Sequence, residues 1–186
     1  MKFFLFSLLL LAAFLLGCAE TPISPTVLEK QSYELIKLPP KSGLSVEAIY
    51  SKTTTINGET GGEIEIAESY VAAGGQTVEI YAQIIIPANA FTGDVPVTMT
   101  IDDEYAAVWF TPHMVFSEPV TLKMSFKGID LNELMLASGK YDLMYISDDG
   151  TFELVGHDEV QVIESQGEIR VQKAYLNHFS RYGFTR

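Results

Sequence analysis

This 186-residue chain predicts an all-β fold, an antiparallel β-sandwich, and three observations carry that prediction. Beyond residue 31, apolar and polar residues alternate with period two, the repeat of a strand that buries one face. Gly, Asn and Asp interrupt the alternation about every ten residues, the rhythm of a sandwich rather than of strands separated by helices. Cys18 is the one cysteine in the chain. No internal disulfide can form, so stability has to come from an apolar core.

The elements follow in order. "LSVEAIYSKTTTI" (44–56) runs into Asn57-Gly58, a pair that favours a tight primed turn because both positions tolerate positive φ. "GEIEIAESYVAA" (62–73) meets Gly74-Gly75, and "QTVEIYAQIIIP" (76–87) stops at Pro87. "VPVTMTI", "EYAAVWFTP" and "PVTLKMSFKG" come next. A hairpin joins "YDLMYIS" to "TFELVG" through Asp148-Asp149-Gly150, and a second joins "EVQVIE" to "EIRVQKAYL" through Ser165-Gln166-Gly167. Tyr182 and Phe184 then share one face of a final strand. One short helical turn is expected at "DLNELML" (130–136), where Asp130 can cap, Glu133 follows three residues on, and Gly139 ends the turn. No fixed-period repeat and no internal linker divides residues 32–186, which read as one domain.

The opening residues carry an address. "MKFFLFSLLLLAAFLLGC" has one cation, Lys2, then an unbroken apolar run from Phe3 to Leu16. That run is short for a bilayer span and has the order of a secretory signal peptide, residues 1–17. It ends at Leu15-Leu16-Gly17-Cys18, which resembles the lipobox of bacterial lipoproteins. The resemblance implies cleavage after Gly17 and acyl chains, palmitate among them, on Cys18. A transmembrane anchor, or a plain signal that leaves Cys18 free, are the competing readings of the same residues. Several acyl chains hold a protein on a membrane far better than one does. Residues 18–31 then form a lipidated tether, in which Pro22 and Pro25 disfavour helix. The expected location is the bacterial cell envelope, on the periplasmic or cell-surface side.

Formal net charge is −12, and loss of residues 1–17 removes Lys2 alone, leaving −13. Such a chain repels phosphate backbones, so a nucleic-acid partner is not expected. A solvated surface that resists aggregation explains the charge, and the domain is expected to be monomeric.

Three stretches resemble the ZU5 domain, the β-sandwich of ankyrins, netrin receptors and death-domain scaffolds. They are "IIIPANAF" (84–91), "FTPHMVFSEPVTLKMSF" (110–126) and "YLNHFSRYGF" (175–184). Some relatives of that fold cleave themselves at a His-Phe/Leu-Ser triplet. The resemblance therefore implies roles for His178, Phe179 and Ser180. Ser180 Oγ would attack the Phe179 carbonyl carbon and His178 would take the hydroxyl proton. Water would then hydrolyse the resulting ester. The reaction also needs a strained peptide bond and donors for the oxyanion. The bland alternative is a histidine at the start of a strand, a core phenylalanine and a serine bonded within a turn. Only "SRYGFTR" follows the bond in this sequence, so the expectation is an uncut chain.

Other chemistry is thinner. His113 and His157 lack the spacing of metal ligands, and no cofactor or metal is expected. Asp102-Asp103-Glu104 and Asp148-Asp149 do not fit a calcium loop and read as turn residues. No nucleophile elbow and no glycine-rich phosphate loop is present. Trp109, within "AAVWF", offers two readings, a ligand-stacking platform and a core aromatic, and so apolar a strand favours the core. The expected function is thus a lipid-anchored, non-enzymatic module that binds an unknown protein or glycan. Self-processing between Phe179 and Ser180 is one alternative. The other is a carbohydrate-binding module using exposed tyrosines, of which the chain has nine; an exposed planar cluster of Tyr and Trp favours it, and burial of those rings removes it.

Overall fold

Among the described residues twelve strands, all paired antiparallel, make two six-stranded sheets that enclose a shared apolar core. The computed structural model describes residues 33–43, 50–129, 131 and 141–186. Cys18 and the tether lie outside the described residues, as does the helical turn expected at 130–136 apart from Leu131. In chain order the strands are β1 (Ser51–Asn57), β2 (Gly62–Val71), β3 (Thr77–Ile86), β4 (Asp94–Ile101), β5 (Ala107–Thr111) and β6 (Val115–Lys127). There follow β7 (Asp142–Ile146), β8 (Phe152–Leu154), β9 (Gly156–His157), β10 (Val160–Ile163), β11 (Glu168–His178) and β12 (Arg181–Thr185). One sheet has the order β1-β4-β5-β12-β7-β8. The other has the order β10-β11-β6-β3-β2, with β9 also paired to β11.

The period-two pattern sorts side chains as the alternation predicts. Along β3, Val78, Ile80, Ala82, Ile84 and Ile86 are buried, while Glu79, Tyr81, Gln83 and Ile85 face outward. Along β6 the inward set is Val120, Leu122, Met124 and Phe126. Phe126 meets Phe184 of the opposite sheet edge-on at 6.3 Å, so the two layers touch through aromatic rings in a favoured geometry.

Both expected hairpins form. β7 and β8 turn at Asp148–Gly150, where Gly150 has φ +80°. Asp149 accepts hydrogen bonds from the Ser147 hydroxyl, from the Thr151 amide at 3.0 Å and from the Thr151 hydroxyl at 2.7 Å. β10 and β11 turn through a 3-10 turn at Glu164–Gln166. The turn at Asn57-Gly58 differs from expectation. β1 and β2 belong to different sheets, so a two-residue hairpin is impossible there, and the Gly61 amide reaches back to Asn57 O at 2.8 Å. Gly58 is required for space rather than for positive φ. A Cβ there would lie 2.2 Å from Phe91 O.

Residues 33–42 form a strap that joins the two sheets. Its Glu34 amide and carbonyl pair with Arg186, and Ile36 bonds to Phe184 O and the Ala106 amide. At its other end the Ser42 amide donates to Val71 O of β2 at 2.9 Å. Its own Ile36 and Leu38 are buried in the core. Leu35 lies over Gly183, the one outward position of β12 with no side chain. A Cβ at 183 would sit 2.7 Å from Leu35 Cδ2 and 2.9 Å from Ala107 Cβ.

Two stability measurements test this description. Gly183→Ala should lower unfolding free energy by about 1–3 kcal/mol through overpacking, and Leu35→Ala in the same chain should recover much of it. An equal loss in both backgrounds would separate Gly183 from the strap. The second concerns Asp149, whose carboxyl is held down to about 2, chiefly by the Ser147 and Thr151 hydroxyls. A depressed carboxyl stabilises the fold above its unfolded value of ~4, and the contribution disappears as pH falls. The Tm gap between wild type and Asp149→Asn should therefore be constant above pH ~4 and shrink towards zero as pH falls through about 2.

Candidate functional site

His178, Phe179 and Ser180 occupy the passage where the chain leaves one sheet and enters the other. β11 ends at His178, β12 begins at Arg181, and the two strands belong to different sheets. Phe179 is fully buried in that passage. Its ring stacks on Phe110 at 5.1 Å and meets Phe116 edge-on at 4.6 Å, so it packs against β5 on one side and β6 on the other. The backbone is tied on both flanks. The Phe179 amide donates to Met114 O at 2.8 Å, and the Phe110 amide donates to Ser180 O at 2.9 Å.

His178 is half-buried beside three aromatic rings. Tyr145 stands edge-on to its ring at 4.7 Å, Tyr182 lies tilted at 6.0 Å, and the exposed His113 is 5.7 Å away. The Tyr182 hydroxyl donates to His178 O at 2.6 Å and lies 3.3 Å from His178 Nδ1. Since the phenol proton is committed to the carbonyl, Nδ1 carries the hydrogen in that second contact. Burial, with Tyr145 alongside, pushes the Tyr182 phenol up and keeps it a neutral donor.

For an acyl shift the chemistry needs Ser180 Oγ bonded to the histidine and donors aimed at the Phe179 carbonyl. Among the described residues no hydrogen bond joins the His178 ring to Ser180, and none reaches the Phe179 carbonyl. Neither Phe179 nor Ser180 has positive φ; among non-glycine residues described, only Asn89 does. The bond between them is not cis, the one cis peptide described being Thr111-Pro112. The sequence triplet is thus brought together as a sheet crossover, with its imidazole directed to Tyr182.

The remaining candidates also find places. Asp102 is buried, with one carboxylate oxygen accepting the Glu104 and Tyr105 amides and the other 2.5 Å from Arg181 Nη2. It is a turn anchor, tied in addition to β12. Asp148 and Asp149 sit in the hairpin turn described above. His157 faces Asp142 at 2.6 Å across β9 and β7. Among the described residues no group of three or more His, Cys, Asp or Glu is placed to hold a metal ion.

Trp109 corrects an expectation. It is 45% exposed, not a core residue. Val108 and Phe110 take the inward positions of β5, and the pleat turns the residue between them outward. Sequence reasoning also missed the Tyr182–His178 contact and the Arg181–Asp102 pair. The inward phase of Tyr182 was visible, but not the loop it meets.

Denaturing mass spectrometry of the purified chain should give a single species across the 179–180 bond, including after long incubation with hydroxylamine, which intercepts an ester. A fragment ending at Phe179 that disappears in both Ser180→Ala and His178→Ala would overturn the crossover reading.

No family model, no curated protein and no solved structure matches this chain.

Proposed function

We propose that the protein is a lipid-anchored, non-enzymatic β-sandwich module of a bacterial cell envelope, working by binding rather than by catalysis. The observation that carries the proposal is the apolar run of residues 3–16 closed by Leu15-Leu16-Gly17-Cys18, ahead of a tether and a single β domain. Among the described residues no helix is long and apolar enough to cross a membrane. The ZU5 likeness rests on the three stretches of sequence and adds an interaction domain as the kind of module. Self-processing is the weaker reading, because His178 bonds with Tyr182 and Ser180 has no base. The acidic surface disfavours nucleic acid as the partner.

In this reading Cys18 is the attachment point and membrane association depends on it. Cells producing the full chain and fed a fatty-acid analogue should incorporate label into it, and the protein should sediment with membranes. Cys18→Ser should lose the label and leave the membrane fraction. An unlabelled wild type, or a variant that stays tightly membrane-bound, would sink the lipid-anchor proposal while leaving the β-sandwich untouched.

A further inference from the structure

The outer face of the β1-β4-β5-β12 sheet carries rows of hydroxyls beside one exposed ring, Trp109. Cross-strand register places Ser51, Thr100, Trp109 and Arg181 in one row. The next row holds Thr53, Thr98 and Thr111. Paired residues in antiparallel strands project to the same face, so Trp109 stands among hydroxyls with a guanidinium at its side. The hydroxyls are organised: Thr53 and Thr98 bond at 2.7 Å, Ser51 and Thr100 at 3.0 Å. Thr100 is buried, whereas Ser51, Thr53 and Thr111 are exposed and keep hydrogen-bonding capacity for a ligand.

What marks Trp109 is an exposed ring, 45% accessible, with no cation or aromatic ring against it. Five tyrosines carry a cation over the ring: Lys41 lies over Tyr50 and Tyr70, Lys123 over Tyr81, Lys173 over Tyr175, which is still 41% exposed, and Arg181 over Tyr105. Among the described residues Trp109 has no ring partner, no cation over it and no hydrogen bond from its indole N–H. An exposed indole in a polar sheet face, left without a partner inside the protein, is suited to a partner outside it.

We propose that this face is a binding platform for a neutral, β-linked glycan, with Trp109 as the stacking residue. The proposal rests on the reading of the protein as a binding module and names its site and ligand class. In β-linked glucose and N-acetylglucosamine chains the ring substituents are equatorial, so each ring presents an apolar C–H face to an indole and a rim of hydroxyls to the threonines. The indole N–H, the Thr111 hydroxyl and the Arg181 guanidinium supply hydrogen bonds around the stack. Charge argues for a neutral chain. The Arg181 cation is already balanced by Asp102 at 2.5 Å, and the protein as a whole carries −12, so an anionic polymer is repelled.

Trp109 is the only tryptophan in the chain, so its emission reports on this site alone. The full chain, in detergent, is titrated with cellohexaose, with the N-acetylglucosamine hexamer and with dextran sulfate. The expected result is a saturable blue shift and protection from acrylamide quenching with at least one neutral hexamer and not with dextran sulfate. By calorimetry, Trp109→Ala should weaken that binding roughly tenfold or more, as for a central hot-spot residue. Thr111→Val should weaken it less, and neither exposed substitution should shift Tm appreciably. Binding that survives Trp109→Ala, or an emission unchanged by both hexamers, overturns the platform. So does a blue shift that follows protein concentration alone, which would mean that a second copy covers the ring. These readouts are independent of Cys18 labelling, so loss of the glycan site and loss of the lipid-anchor reading are told apart.

Discussion

The crossover at residues 178–181 is the constraint on which the rest depends. β12 has neighbours on both sides, β5 and β7, so it sits inside its sheet although it is the last strand in sequence. Phe179 closes the space between the sheets at the point of passage. The two backbone bonds that flank it, to Met114 and from Phe110, hold the passage to both layers at once. Tyr182 and Phe184 then drop into the core from β12, while Arg181 on the other face fastens Asp102 and through it the β4–β5 connection. A triplet that reads as chemistry in the sequence thus serves as the joint between layers. A buried phenylalanine with rings from both sheets against it is costly to displace, about 3–5 kcal/mol for a phenylalanine truncated to alanine.

The outer faces follow a second rule, in which charge is matched locally despite a large overall excess of acid. Lys127 meets Glu79 at 3.1 Å and Arg186 meets Glu34 at 2.7 Å. Exposed pairs of this kind contribute little to stability, roughly 0–1 kcal/mol each. Their larger effect is on recognition. Cations lying over five tyrosine rings compete with outside partners for those rings, even where, as at Tyr175, the ring stays exposed.

Much of the architecture was legible because burial on a pleated strand imposes a period, and the period survives in the sequence. Ile64 and Ile66 on β2, the five inward residues of β3 and the Tyr182/Phe184 pair are all read from alternation alone. What failed was information carried between strands. Asn57-Gly58 has the composition of a primed turn, yet its flanking strands go to different sheets, a long-range fact that a local pair of residues cannot encode. Trp109 was misassigned because "AAVWF" is apolar throughout, and only the phase set by Val108 and Phe110 decides which side the indole takes. The meeting of His178 with Tyr145 and His113 joins residues distant in sequence, and nothing at any one of them announces it. His178 and Ser180 show how a motif can be present in full while the groups that would activate it are directed elsewhere.

The central place of β12 also dictates an order of events during folding. Without it, one sheet is two separate pieces, the β1-β4-β5 set and the β7–β8 hairpin, each with an unpaired inner edge. The other sheet contains its neighbouring pairs β2–β3 and β10–β11 and can begin from hairpins close in sequence. The Glu34–Arg186 pair spans 152 positions and can form only after these pieces meet. Long-range closure of this kind is slow, and open edges in the interval are prone to pairing with other chains. Inserting five residues between β5 and β7 is therefore the step that seals the sheet, and the chain remains vulnerable until it occurs.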